Sequence, residues 1–163
     1  MSSRDDDAGW DLDFVENGWT RFRLYYVLGG PDLDPIEVTR RTGLVAHAQA
    51  AVGTLTRAGK TRTVAYWEIT SGRLGSEPFE LHMAGLLQKL RTAWPVFVEL
   101  GRDHDASLLV EAETNVNPLM EFETDVVEAL AELRASIGFD VYPCGPTMLP
   151  DDSPRRGFGS QES

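Results

Sequence analysis

Four glutamates, Glu111, Glu113, Glu121 and Glu123, recur at alternate positions in two short apolar-rich runs, "ASLLVEAET" and "LMEFE". Successive side chains of an extended chain point to opposite faces. Glu111 and Glu113 therefore oppose Leu108, Val110 and Ala112, while Glu121 and Glu123 oppose Met120 and Phe122. If the turn-rich "NVNP" joins the two runs as a β-hairpin, all four carboxylates share one sheet face. Like charges directly opposite one another are destabilising, so water, salt, a neighbouring strand or a basic partner must compensate them. Arg21 and Arg23, on the corresponding outer face of the earlier run "RFRLYYVL", would supply an internal ladder of opposite charge with no ligand. Calcium or magnesium needs oxygens converging on one point, which a flat sheet face does not offer, so no metal is expected.

The basic counterpart is Arg40, Arg41, Arg57, Lys60 and Arg62, with no acid between residues 38 and 67. A solvated loop accounts for these cations, and an anion contact is the functional alternative. Few aromatics are interleaved and no recognised RNA- or DNA-binding motif is present, which disfavours nucleic acid.

Enzyme chemistry finds little footing. His47, His82 and His104 fall in different elements, and "RDHDA" places Asp103, His104 and Asp105 in an expected turn, short of the further ligands zinc requires. "GRLGSEP" lacks the G-x-S-x-G pattern, and Ser76 reads as a helix N-cap. Cys144, the single cysteine, has no neighbouring base and no disulfide partner. "VLGGPD" has neither the length nor the lysine of a phosphate-binding loop. No cofactor is implied, and an enzyme would need a buried titrating group that spacing does not reveal. Trp67, Trp94, Tyr25 and Tyr66 read as core because of the area they bury. Tyr66 and Trp67 are strand neighbours, however, so one of them must face away from the helices.

These residues have to be positioned by the elements around them. In "RFRLYYVL", Phe22, Leu24, Tyr26 and Leu28 alternate with Arg21, Arg23, Tyr25 and Val27, a strand with one buried face. "DLDPIEVTRRTGL" then carries a full set of helix punctuation. Asp34 is the N-cap, Pro35 the first helical residue, Glu37 an acidic capping-box member, and Gly43 the left-handed stop with Leu44 packing behind it. The helix spans about two turns and must be held by packing. Residues 45–62 read mostly as loop, and "TVAYWEIT" as a second strand. After Ser76, the residues Phe79, Met83, Leu86, Leu87, Leu90 and Trp94 mark an amphipathic helix that Pro95 breaks or redirects. Thr124 caps a further helix through Val126, Leu130, Leu133 and Ile137, with Gly138 as its stop, and "FDVYP" is a final strand. The order predicts an α+β two-layer sandwich with a mainly antiparallel sheet, in which a ferredoxin-like βαββαβ part follows an extra βα unit.

The formal charge of −11 is spread unevenly. Residues 1–18 carry one Arg against six acids, and "GPTMLPDDSPRRGFGSQES" lacks periodicity, so both ends are expected as disordered tails around one domain at 19–145. Within that domain, residues 19–105 carry eleven bases and nine acids, whereas residues 106–145 carry one base and eight acids. The N-terminus has no apolar h-region and no run is long enough to span a bilayer, so a cytoplasmic protein without a membrane partner is expected.

The strand "TRFRLYYVLGG", the segment "DLDPIEVTRRTGL", then "AGKTRTVAYWEITSG", "FELHMAGLLQKL" and "ELRASIGFDVYP" together resemble a bacterial family, domain of unknown function 4279, over about residues 19–143. The most specific pieces are Asp34-Pro35 with Glu37 and Gly43, and Tyr66-Trp67 followed by Ser71-Gly72. The alanine-rich "HAQAAVGTL" departs from the family, which more often carries polar or aromatic residues there. The resemblance implies a fold and an accessory protein, and no mechanism. The leading expectation is a non-enzymatic interaction module whose acidic sheet face, with Glu111, Glu113, Glu121 and Glu123, meets a basic protein, toxin neutralisation being one version. A small-ligand or regulatory domain using the helix–sheet cleft is the alternative, and the open face would equally serve a homo-oligomer.

Overall fold

The computed structural model describes residues 18–144. The expected tails lie outside the described residues, apart from Gly18. The fold is an α+β sandwich built on a five-stranded sheet of order β2-β3-β1-β4-β5. In chain order the elements are β1 (Thr20–Gly30), α1 (Pro35–Thr42), β2 (Ala48–Ala50), β3 (Ala65–Thr70), α2 (Phe79–Arg91), α3 (Trp94–Asp103), β4 (Asp105–Thr114), α4 (Thr124–Glu132) and β5 (Ser136–Pro143). All pairings are antiparallel except β4–β5.

The core lies between the helices and the sheet face carrying Phe22, Leu24, Tyr26, Leu28, Trp67, Leu108 and Val110. Phe97 packs edge-on to Tyr26 at 5.5 Å and beside Trp67 at 5.8 Å, so the helix–sheet space expected as a ligand cleft is filled by aromatic rings. Trp67 is fully buried and its indole N–H donates to Thr39 of α1 at 3.0 Å, tying that short helix to β3. Tyr66 takes the other face, beneath the Arg62 guanidinium.

α1 forms as its punctuation dictates. The Asp34 carboxylate accepts from the N–H groups of Ile36 and Glu37 at 3.0 and 3.3 Å, and Gly43 takes the left-handed conformation at φ 70°. Glu37 does not close a capping box; it pairs with Arg40 one turn on.

Three expectations are corrected. The run Leu119–Glu123 is not a strand, and no β4 hairpin forms. Pro118 at its start lacks an N–H for a ladder, and the place beside β4 goes to β5, whose Ile137 and Phe139 register with Leu108 and Val110. The expected βαββαβ part therefore runs β-α-α-β-α-β. Next, α4 ends before Ile137: Arg134 adopts φ 54°, and the N–H groups of Arg134 and Ala135 close on Ala131 and Leu130 in a Schellman-type stop. α2 begins at Phe79 with Pro78 in the N-cap position, so Ser76 is not its cap, and Pro95 opens α3 within its first turn. As expected, residues 45–62 are mostly loop, with β2 and a Leu55–Thr61 bridge within them.

Candidate functional site

Sheet pairing decides what becomes of the acidic residues. β1 and β4 set Arg21 opposite Glu113 and Arg23 opposite Glu111, the internal ladder that strand alternation anticipates. Arg23 reaches Glu111 at 3.0 Å and Glu113 at 3.8 Å, and both glutamate side chains are largely buried. Glu121 and Glu123 sit in the exposed segment before α4. The four carboxylates therefore do not form one continuous sheet-face patch.

The basic set is divided as well. Arg40 pairs with Glu37 and Arg41 with Glu99 at 2.7 Å, both from the last turn of α1. Arg57, Lys60 and Arg62 belong to the β2–β3 connection, where Arg62 covers Tyr66. His104 caps the α3–β4 junction, where a turn was expected, and no group of three potential metal ligands assembles among the described residues.

The open sheet face conceals a titrating group that sequence reasoning missed. Glu68 is only 2% exposed, and its Oε1 has no hydrogen-bond partner among the described residues. Burial, reinforced by the charge of Glu111, raises its pKa to about 7. Glu68 lies opposite Val27, two positions along β1 from Tyr25, whose own pKa burial raises. No local pattern marks Glu68, because its burial comes from strands distant in sequence.

A second feature lies where β3 ends and its chain runs on as the loop Ser71–Gly75. There β1 is no longer paired with β3; the Phe22 N–H donates to the Gly75 carbonyl at 2.9 Å instead. The first turn of α2 presents His82, 1% exposed, whose Nδ1 lies 2.9 Å from the Ser71 hydroxyl. Its Nε2 has no hydrogen-bond partner among the described residues. Burial is the main cause holding the His82 pKa below the usual histidine value, opposed by the backbone of Leu74 and Glu77. Close packing shapes the loop. Gly72 has φ +72°, and a Cβ there would meet Lys89 Nζ at 2.8 Å; one at Gly85 would meet Arg73 at 3.2 Å and the Ser71 carbonyl at 3.3 Å. Together these segments enclose a cleft of about 250 Å³ with Arg23, Tyr25, His47, Ser71, Arg73 and His82 among its lining. The available sequence signal was Ser71-Gly72 together with a histidine on the apolar side of α2.

A hydroxyl beside an imidazole is half of a nucleophile-activating arrangement. The missing half is an orienting carboxylate, and none bonds to Nε2 here. The Glu77 carboxylate is committed to the Leu74 N–H at 2.7 Å and to Arg73 at 3.4 Å.

Residues 20–143 match the family model described as Domain of unknown function (DUF4279). No curated protein and no solved structure matches the chain.

Proposed function

The chain belongs to the DUF4279 family, and we propose from its geometry that it is a non-enzymatic interaction module whose β5 edge receives an extended segment of a basic protein partner. The observation carrying this reading is the exposure of Ile137, Phe139, Val141 and Tyr142 on a strand paired only through β4 among the described residues. An edge strand with an exposed apolar side-chain row is a template for strand addition. Ile137, Phe139 and Val141 share the helix-side face, where Phe139 meets Phe122 at 6.1 Å.

Charge supports the class of partner. The loop and helix leading into β5 expose Glu121, Glu123, Asp125, Glu128 and Glu132. A second copy of the chain would set these acids against their equivalents, whereas a segment alternating apolar residues with Lys or Arg would gain from both features. Glu121 and Glu123 remain candidate partner contacts, while Glu111 and Glu113 serve the Arg23 ladder. Neutralisation of a basic toxin is one form such capture takes.

The test is affinity capture with the full chain at low and high salt, beside the variants Phe139→Lys and Glu121→Lys/Glu123→Lys. A basic protein should be recovered at low salt by the wild type, lost on charge reversal, and lost on Phe139→Lys. Equal recovery by all three chains would reject the β5 edge.

A further inference from the structure

We propose that the cleft beside Ser71–Gly75 binds a small organic carboxylate, clamped by Arg73, held at its polar end by the Ser71–His82 pair, and flanked on its apolar side by Tyr25 and Leu74. The site is independent of the β5 edge. Among the described residues its lining contains Arg21, Arg23 and Arg73 with His47 and His82, and no Asp or Glu. Such a wall selects an anion. The 250 Å³ volume is at or just below the small end of ligand pockets, which fits a compact metabolite-sized molecule.

The individual groups divide the work. Arg23 is engaged by Glu111 and Glu113. Among the described residues Arg73 is held by Glu77 at 3.4 Å in a partly exposed i,i+4 pair, which is cheap to exchange for a ligand carboxylate. Its planar fork matches a carboxylate in two parallel hydrogen bonds. His82 lines the cleft with Nε2 unpartnered among the described residues, while Nδ1 is fixed by Ser71.

The backbone argues against phosphate. Phosphate sites of the nest type need successive free N–H groups. Here the Ser71 N–H donates to Leu24, the Arg73 N–H to the Ser71 hydroxyl, and the Leu74 N–H to Glu77. Recognition therefore falls to side chains, and the Tyr25 ring, 6.0 Å from that of His47, with Leu74 offers apolar surface that a bare inorganic anion would not use.

The experiment is an NMR titration of the isotope-labelled full chain with benzoate, its neutral analogue benzamide, and inorganic phosphate at matched ionic strength. Benzoate should shift the amides of Ser71–Gly75 and the His82 imidazole saturably, with benzamide and phosphate far weaker. Arg73→Ala should weaken benzoate by about tenfold or more, the loss expected for a charge-assisted fork, while surface Arg40→Ala leaves it unchanged. The proposal is overturned if benzoate gives no saturable shift at the loop, if benzamide or phosphate matches it, or if Arg73→Ala binds as well as the wild type.

Discussion

Glu68 shows how one residue ties the sheet to pH. Its folded pKa of about 7 lies above the 4.5 of an ordinary glutamate. Between those values the unfolded chain has released its proton while the folded chain still holds it, so rising pH favours unfolding. Stability from this group is thus fully present below about pH 4.5, declines toward pH 7 and is level beyond it. Glu68→Gln should flatten that decline and raise stability at pH 8 by on the order of 2 kcal/mol, measured by urea unfolding at pH 5 and pH 8. A steeper decline in the variant would refute the assignment. Tyr26 carries a related cost, for its hydroxyl is buried in the core without a hydrogen-bond partner among the described residues. Tyr26→Phe should therefore be neutral or stabilising by about 1 kcal/mol, and a loss of similar size in thermal or urea unfolding would reveal a partner for that hydroxyl. Neither cost is visible in the sequence. Tyr26 stands where alternation predicts a core residue, and Glu68 stands in a strand of ordinary β-forming composition.

At the scale of elements, the start and stop of α1 were legible, whereas the ends of α2 and α4 and the neighbour of β4 were not. Asp34, Pro35 and Gly43 act through bonds within a few residues, so α1 could be read directly. The hairpin expected after β4 failed because an apolar–acidic alternation describes two different environments. In Glu111 and Glu113 it belongs to a strand; in Leu119–Glu123 it belongs to an irregular segment that still packs Met120 and Phe122 onto the core. The end of α4 was misplaced for a comparable reason: Ile137 satisfies a helical period but is paired into β5. Packing between helices depends on a glycine whose role was equally hidden. A Cβ at Gly101 of α3 would overlap the backbone carbonyl of Leu133 at the end of α4. Gly101→Ala should cost about 3 kcal/mol, at the upper end for overpacking, because backbone rather than a flexible side chain must move. An unchanged urea midpoint would show that the two helices separate freely.

Across the molecule, charge is segregated: residues 106–145 carry eight acids and one base, and the exposed Glu121, Glu123, Asp125, Glu128 and Glu132 lie on the loop and helix leading into the apolar row of β5. Repulsion between like rims should keep copies of the chain apart at low ionic strength. At about 1 M salt the screening length falls to about 3 Å, so the apolar edge should then show concentration-dependent self-association. Sedimentation velocity at both salt levels checks this, and Phe139→Lys should suppress it. Association that is strongest at low salt would instead indicate attraction between charges of opposite sign.

Taken by itself, the sequence determined the α+β class, the family resemblance, the two faces of β1, the punctuation of α1 and the amphipathic face of α2. All of these follow from local geometry, in which side-chain period and capping act over a few residues. Only the tertiary structure decided that β5 lies beside β4, that Arg23 neutralises Glu111, that Glu68 is buried, and that Ser71 meets His82 at the wall of a cleft. Those outcomes depend on strand register and chain crossings between segments far apart in sequence, where the free energy of pairing is shared among residues that carry no local mark of their partners.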